Sequence, residues 1–241
     1  MSLFRSLGNL EHEKRLVIAL DQAQEFRRLV GFDLVKLLAY IYDHVRSAQL
    51  VITGSQEGFL HGFLGVADPK SPFFGRYYTE VRLSYLTKAE ALSFLELGFA
   101  QLKMKVDPRV LEEAVSRLNG IVGWLTFLGA SVWEKGQLDL DTLEETLKKA
   151  AVLALDELDN FLTYRPAARR RYRTILVYLA IRGPARWADL RRALEAEEGR
   201  RLSPTVFNQL LGNLVKAGFI QKRGDQLYEV ADPVLAFALR Q

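Results

Sequence analysis

Two short apolar runs, separated by a helical pattern, constrain the fold of this chain more than any other feature. The first run is Leu16–Leu20, which is followed at once by Asp21, and the second covers 48–53. Such runs are typical of strands that are buried in a parallel sheet. Between them, apolar residues recur at helical spacing over 23–45, with a break expected near Gly31. The pattern predicts a strand-helix-strand unit, with Asp21 at the strand end where open α/β sheets bind ligands.

After this unit the pattern becomes mainly helical. Aromatic and β-branched residues alternate over 77–83, which predicts a third strand after a glycine-rich loop with a short helix. Thr87 and Glu90 have the spacing of a capping box, and Pro108 follows Asp107 as the first residue of another helix. The predicted helices, which we expect to pack as a bundle, cover 88–99, 108–119, 122–134 and 140–162.

The last part of the chain, from Tyr164, has the element order of a winged helix-turn-helix. Three helical patterns are followed by two short strand patterns, which is the order of that motif. Ser203 followed by Pro204 is the expected start of the third helix. The helices are predicted at 168–181, 186–196 and 204–217, and the strands at 219–222 and 226–230.

Positive charge is concentrated in this last part. From Tyr164 onward there are 15 Lys and Arg against 7 Asp and Glu, a net charge of +8, while the first 163 residues carry 18 against 22, a net charge of −4. Such an excess indicates a polyanion or an acidic protein as the partner of this segment, although a solvated arginine-rich face gives the same count.

The composition argues against several kinds of site. The 241 residues include no cysteine, which excludes a disulfide framework, a thiolate zinc site and a cysteine nucleophile in this sequence. His12, His44 and His61 have no spacing with carboxylates that indicates a metal site or a catalytic triad. The apolar runs are far shorter than the roughly 20 residues of a membrane span. We expect a cytoplasmic protein with no membrane partner.

Five short motifs follow one another in a family-specific order. The first strand continues as Asp-Gln-Ala-Gln, the second ends in Thr-Gly-Ser, and Ser-Pro-Phe-Phe-Gly-Arg precedes the predicted third strand. The other two motifs lie in 83–99 and 118–128. They resemble, in order, the Walker B segment, sensor strand, arginine motif, helical motif and lid motif of the archaeal ATPase family of the STAND class. That family is related to the AAA+ and Orc/Cdc6 proteins.

This resemblance implies ATP and Mg²⁺ as cofactors and gives roles to individual residues. By resemblance, Asp21 is the magnesium ligand and Gln22 occupies the position of the catalytic glutamate. The residues that it places at the nucleotide are Thr53, Ser55, Arg76, Gly120, Gly123 and Trp124. Structural interpretations stay open beside these roles: Asp21 as a carboxylate bonded to the next helix, Thr53 as part of a capping turn, and Arg76 as a surface arginine.

The sequence also departs from the family's pattern. It contains no Gly-x-x-x-x-Gly-Lys-Ser/Thr phosphate loop. The amide of Gln22 cannot accept a proton from an attacking water, and Val122 replaces the proline of the lid motif. We therefore expect a truncated sheet that lacks the Walker A part and hydrolyses ATP poorly. Its exposed edge is expected to pair with an upstream chain that carries the phosphate loop, or with a second copy.

The winged helix supports a second kind of function. In such modules the third helix enters the major groove of DNA and the wing contacts the backbone. The candidate DNA-binding residues are Arg169, Arg170, Arg171, Ser203, Thr205, Asn208, Gln209, Lys222 and Arg223. The alternative is a winged helix that packs on its own nucleotide domain or binds a protein.

Taken together, the patterns predict an α/β plus α fold. We expect a truncated P-loop-type parallel sheet in 1–86, a helical lid bundle in 87–163 and a C-terminal winged helix-turn-helix in 164–241. The predicted function is that of an ATP-binding AAA+ or STAND-type protein, inactive in hydrolysis, that acts as a nucleotide-dependent switch. The alternative is a non-enzymatic winged-helix module that binds DNA or protein.

Overall fold

The computed structural model describes residues 16–54, 57–224 and 226–241. Contacts within the chain divide it into two units. The first comprises the described residues up to Glu80 with Lys216–Gly218, and the second comprises Val81–Val215 and Phe219–Gln241. The three-domain division at residues 86 and 163 stays a prediction.

The first unit is built on two parallel strands. Strand β1 (Leu16–Leu20) pairs with β2 (Ala48–Ile52) along its whole length. A 3₁₀ helix, Ala23–Arg28, and helix α1 (Leu34–His44) connect the strands, and α2 (Glu57–Leu64) follows β2. The predicted strand-helix-strand unit and the short helix after it are confirmed.

The connection between the strands is interrupted where the sequence predicts a break. Gly31 has a φ of 79°, a left-handed conformation that glycine adopts readily. Asp33 then begins α1, because its carboxylate accepts a hydrogen bond from the Lys36 amide at 3.1 Å. The break separates the 3₁₀ helix after β1 from the helix that covers the sheet.

Among the described residues, one face of the strand pair is covered and the other is open. Leu38 of α1 and Phe73 belong to a buried cluster against which Leu50 packs. On the opposite face, the side chains of Val17 and Val51 are 57% and 40% exposed. Parallel sheets are normally covered on both faces. This second face is therefore an apolar surface without a covering layer among the described residues.

The predicted third strand at 77–83 is wrong. In the part of the chain that the structure describes, β1 and β2 form a sheet of two strands, and 77–83 joins neither of them. The carbonyl of Tyr77 instead accepts a hydrogen bond from the hydroxyl of Tyr42 at 3.1 Å, and Leu83 is 93% exposed. Alternating aromatic and β-branched residues favour a strand only when a neighbouring strand is present to pair with it.

The second unit begins with the predicted helices. The capping box is confirmed, since the Glu90 amide donates to Thr87 Oγ1 at 3.3 Å and the Thr87 amide donates to the Glu90 carboxylate at 2.8 Å. Asp107 caps the next helix by accepting from the Arg109 amide at 2.8 Å. The helices are α3 (Lys88–Gln101), α4 (Pro108–Leu118), α5 (Val122–Lys135) and α6 (Leu140–Thr163).

The remainder of this unit has the elements of a winged helix-turn-helix. They are α7 (Arg169–Arg182), β3 (Ala185–Arg186), α8 (Trp187–Glu198), α9 (Pro204–Lys216), β4 (Ile220–Lys222), β5 (Leu227–Val230) and α10 (Pro233–Ala238). The antiparallel strands have the order β3-β5-β4. The sequence prediction missed β3 and α10, which are too short to show a period. Helix α10 packs against α6 and so joins the winged helix to the bundle.

Gly120 lies between α4 and α5 in a conformation that excludes a side chain. Its φ is 70°, and a Cβ added there would lie 2.0 Å from the carbonyl oxygen of Leu86. The Leu86 amide donates to the carbonyl of Gly120 at 2.9 Å. The glycine that the family resemblance assigned to the nucleotide is thus required by the backbone of the second unit.

We expect Gly120→Ala to lower the free energy of unfolding by about 2 kcal/mol or more, because it adds a left-handed penalty to a backbone clash. Gly129→Ala, in the middle of α5 with no atom within 4 Å of the added Cβ, is the matched control. It should stabilise the protein by about 0.5–1 kcal/mol. Urea denaturation of both variants measures this, and equal effects would contradict it.

Candidate functional site

The carboxyl ends of β1 and β2 bring two polar side chains together. Asp21 follows β1 and Thr53 follows β2, and the two strands end at the same edge because they are parallel. The Thr53 hydroxyl donates a short hydrogen bond to Asp21 Oδ1, and it accepts one from the Gln22 amide at 3.4 Å. Both side chains are exposed. The edge therefore presents a fixed carboxylate and a fixed hydroxyl, which are oxygen donors of the kind that Mg²⁺ prefers.

Two glutamines continue this edge. Gln22 has a left-handed backbone, with φ 51° and ψ 45°, and its side-chain oxygen accepts from Gln24 Nε2 at 2.6 Å. Gln24 is only 2% exposed, and its Oε1 has no hydrogen-bond partner. A Cβ on Gly54 would lie 2.5 Å from that oxygen, so the glycine after Thr53 leaves room for the amide of Gln24. Sequence reasoning did not select Gln24, although the Asp-Gln-Ala-Gln motif contains it.

The other predicted nucleotide residues of the first unit are placed differently. Ser55 lies outside the described residues. Arg76 forms a two-pronged salt bridge with Asp43 of α1, with Nε to Oδ1 at 3.0 Å and Nη2 to Oδ2 at 2.5 Å. The hydrogen bond from Arg76 lowers the pKa of the Asp43 carboxyl. This pair favours the structural interpretation of Arg76, and its contact with phosphate stays a prediction.

The predicted lid residues lie in the second unit. Gly123 is in the first turn of α5, next to Trp124. The Trp124 indole donates to Asp232 Oδ2 at 2.9 Å, and Asp232 Oδ1 accepts from the Val234 amide at 2.8 Å. Asp232 thus caps α10 and binds α5 at the same time. In this structure Trp124 joins the bundle to the winged helix, and its role at a nucleotide stays a prediction.

The carboxyl of Asp232 lies in an environment that disfavours its charge. Burial raises its pKa, and the hydrogen bonds from Trp124 and from the amide of Val234 oppose that shift. Loss of hydration, followed by the nearby charge of Asp232, raises the pKa of Glu157 on α6. Desolvation also raises the pKa of Tyr85. These acidic groups meet where α5, α6 and α10 converge.

Three of the predicted DNA-binding arginines are paired within the protein. Arg169 contacts Asp159 at 3.0 Å and Arg170 contacts Glu197 at 2.8 Å. Arg171 makes two hydrogen bonds with the Glu198 carboxylate. Since these three arginines of the first helix are paired in this way, they offer less to a phosphate backbone than the sequence suggests.

The third helix and the wing retain a smaller set of candidates. Ser203 caps α9 by accepting from the Val206 amide at 3.2 Å, and Asn208 accepts from the Trp187 indole at 2.7 Å. Arg223 lies 3.4 Å from Glu229 across the hairpin. Thr205, Gln209 and Lys222 are exposed at the surface. These last three are the best placed of the predicted DNA-binding residues.

Two further kinds of feature do not occur in 16–54, 57–224 and 226–241. No group of three or more His, Asp or Glu residues is arranged to hold a metal ion in these ranges. Over the same ranges, no helix combines the length and the apolar character that crossing a lipid bilayer requires. A metal at the β1 and β2 edge would thus rest on Asp21, Thr53 and ligands supplied by a nucleotide.

Comparison with known proteins first identifies the class of the C-terminal part. Residues 166–231 match the family model described as the MCM protein C-terminal winged helix-turn-helix domain. The match spans α7 to β5, which confirms the predicted winged helix. No curated protein matches the sequence.

Solved structures identify the family of the whole chain. The Walker-type ATPase PABY2304 of Pyrococcus abyssi is 34% identical, with a TM-score of 0.87, over 99% of this chain and 67% of that one. The Orc2 protein of Aeropyrum pernix, as ADPNP and ADP complexes, shares the fold at 17% identity and a TM-score of 0.60, over 99% and 67%. The chain belongs to the family of archaeal Walker-type ATPases, as its motifs predict.

The joint between Trp124 and Asp232 gives a prediction for the pH dependence of stability. The pKa of Asp232 is higher in the folded protein than in the unfolded chain. Its contribution to the free energy of unfolding is therefore fully present below its unfolded-state pKa and is lost as the pH rises through its folded-state pKa. The Asp232→Asn variant keeps an oxygen that can cap α10 and accept from Trp124, but its side chain does not ionise. The free energy of unfolding of the variant should therefore rise relative to that of wild type from about pH 4 to about pH 7.

Asp139→Asn is the control with the opposite sign. A hydrogen bond from the Thr142 amide lowers the pKa of Asp139, so its contribution is present above the unfolded pKa and is lost as the pH falls. The free energy of unfolding of Asp139→Asn should therefore decrease relative to that of wild type as the pH rises to neutrality. Urea denaturation across the pH range measures both, and parallel curves for Asp232→Asn and wild type would contradict the assignment.

Proposed function

We propose that this chain acts as a nucleotide-dependent switch, which binds Mg²⁺ and ATP at the carboxyl edge of β1 and β2 and turns ATP over slowly or not at all. The observation that carries this proposal is the hydrogen bond between Thr53 and Asp21 at the ends of adjacent parallel strands. It holds the carboxylate in one orientation before any ligand arrives. Membership of a Walker-type ATPase family supports the same site.

Each residue at this edge has a defined part in the proposal. Asp21 directs its free carboxylate oxygen to the metal, and Thr53 keeps that carboxylate in place. Gln22 stands where an ATPase of this class needs a base, but its amide cannot take the proton of water. Gln24 fixes the side chain of Gln22 through the 2.6 Å hydrogen bond. Bound Mg²⁺ would neutralise phosphate charge at this edge.

The site needs phosphate-binding groups that these 241 residues do not include. Their sequence has no Gly-x-x-x-x-Gly-Lys-Ser/Thr loop. We propose that a segment outside this sequence supplies the loop and covers the open sheet face, where Val17 and Val51 are exposed. The competing arrangement is the pairing of two copies of this chain through the exposed side of the sheet. Measuring the molecular mass in solution, with and without a phosphate-loop segment, would distinguish the two arrangements.

The test of the switch is isothermal titration of the chain with Mg²⁺ and ATP. We expect binding that is weak in the absence of a phosphate loop and about tenfold weaker in Asp21→Asn, which corresponds to about 1.4 kcal/mol. Asp156→Asn, an exposed aspartate of α6, is the matched control and should bind as wild type does. Equal binding by wild type and Asp21→Asn, or no heat up to millimolar ATP, would contradict the site.

The winged helix favours DNA binding as a second function. The supporting observations are the match of 166–231 to an MCM winged-helix family and the exposed polar side chains of Thr205, Gln209 and Lys222. Polar side chains on the third helix suit base contacts, and a lysine on the wing suits phosphate. Because Arg169, Arg170 and Arg171 are paired within the protein, we expect the electrostatic contribution to DNA binding to be modest.

Fluorescence anisotropy with duplex DNA tests this function. Lys222→Ala should weaken binding uniformly across sequences and reduce the salt slope by about 1, because one phosphate contact is lost. Lys148→Ala, an exposed lysine of α6, is the control and should leave both quantities unchanged. Identical slopes for wild type and Lys222→Ala would exclude the wing from a DNA interface.

A further inference from the structure

A groove of about 870 Å³ runs along the outer face of α7, with α8 on one side. Pairs of neighbouring α7 residues line it once per helical turn, and α8 adds Ala193 and Glu197. The α7 residues are Arg169, Arg170, Arg173, Thr174, Val177, Tyr178, Ile181 and Arg182. The opposite face of α7 packs into the core of the winged helix, so the groove lies on the face of α7 that is turned to solvent.

The groove has an apolar centre between basic ends. Val177 and Tyr178 are partly buried, and Ile181 is 62% exposed, which is unfavourable for an isoleucine in water. Arg182 closes one end and has no ion-pair partner in the described part of the chain. An apolar centre of this kind fits a partner that buries its own apolar side chains.

Its charge is positive after internal pairing is counted. Asp159 contacts both Arg169, at 3.0 Å, and Arg173, at 4.0 Å, and Glu197 contacts Arg170. Two carboxylates therefore face four arginines, counting Arg182. An occupant needs acidic groups at its ends, and it replaces or shares the internal partners of the arginines.

We propose that this groove is a docking site for an acidic amphipathic helix of a partner protein. Helix α7 is 14 residues long, or about 20 Å, so a partner helix of three to four turns matches it. Leucine-type residues of that helix would contact Val177, Tyr178 and Ile181, and its carboxylates would meet the arginines. Nucleic acid fits less well, because the apolar centre formed by Val177, Tyr178 and Ile181 offers nothing to phosphates.

This site is independent of the β1 and β2 edge and of the wing. Its residues belong to α7 and α8, together with Pro166 just before α7, and neither Lys222 nor Asp21 contributes to it. Failure of the nucleotide or DNA experiments would therefore leave it standing. In the same way, loss of peptide binding would leave those two functions unaffected.

The experiment titrates the chain into a fluorescein-labelled synthetic helix of about 14 residues, with leucines at i, i+3, i+4 and i+7 and glutamates elsewhere. A scrambled peptide of the same composition and a duplex DNA serve as competing probes. We expect a Kd of about 100 µM or tighter for the amphipathic peptide, at least about fivefold weaker binding of the scrambled one, and no displacement by DNA.

Variants locate the binding on the groove. Arg182→Glu removes an exposed arginine and Ile181→Ser removes the exposed apolar contact, and each should weaken peptide binding about fivefold to tenfold. The controls are Arg186→Glu and Val206→Ser, which are exposed residues outside the groove, and they should have no effect. Equal binding of both peptides, no binding, displacement by DNA, or insensitivity to the groove variants would each overturn the proposal.

Discussion

The parallel pairing of β1 with β2 is the constraint on which the candidate site depends. Parallel strands end at one edge, so the residues that follow them meet even though 31 positions separate Gln22 from Thr53. The Thr53 hydroxyl then bonds both to the Asp21 carboxylate and to the Gln22 amide. At the same edge, Gln22 has a left-handed backbone and Gly54 lies close to the side chain of Gln24. Strand topology brings these oxygen donors together, and the hydrogen bonds of Thr53 fix them.

The second unit depends on a different interaction, the hydrogen bond from Trp124 to Asp232. It joins the start of α5 to the start of α10, and α10 packs against α6. A carboxyl that is desolvated at such a joint is costly unless its donors are in place. The winged helix and the helical bundle are therefore held together by polar groups as well as by apolar packing.

Much of this fold could be predicted from the sequence, because its signals are local. Capping at Thr87 and Asp107, the break at Gly31 and the order of winged-helix elements all depend on neighbouring residues. The strand predicted at 77–83 failed because pairing depends on a partner that the local pattern does not report. In the same way, the arginines of α7 looked available for DNA, but Glu197 and Glu198, 27 positions away along the chain, neutralise two of them.

We propose that the carboxyl edge of β1 and β2 holds a metal together with nucleotide phosphate. Substoichiometric Mn²⁺ with ATP would test this by paramagnetic broadening of backbone amide signals, because the broadening falls steeply with distance from the metal. We expect the amides of Asp21, Gln22, Thr53 and Gly54 to broaden first and Asp21→Asn to weaken the effect. Broadening confined to acidic surfaces of the second unit, or spread evenly over the chain, would contradict it.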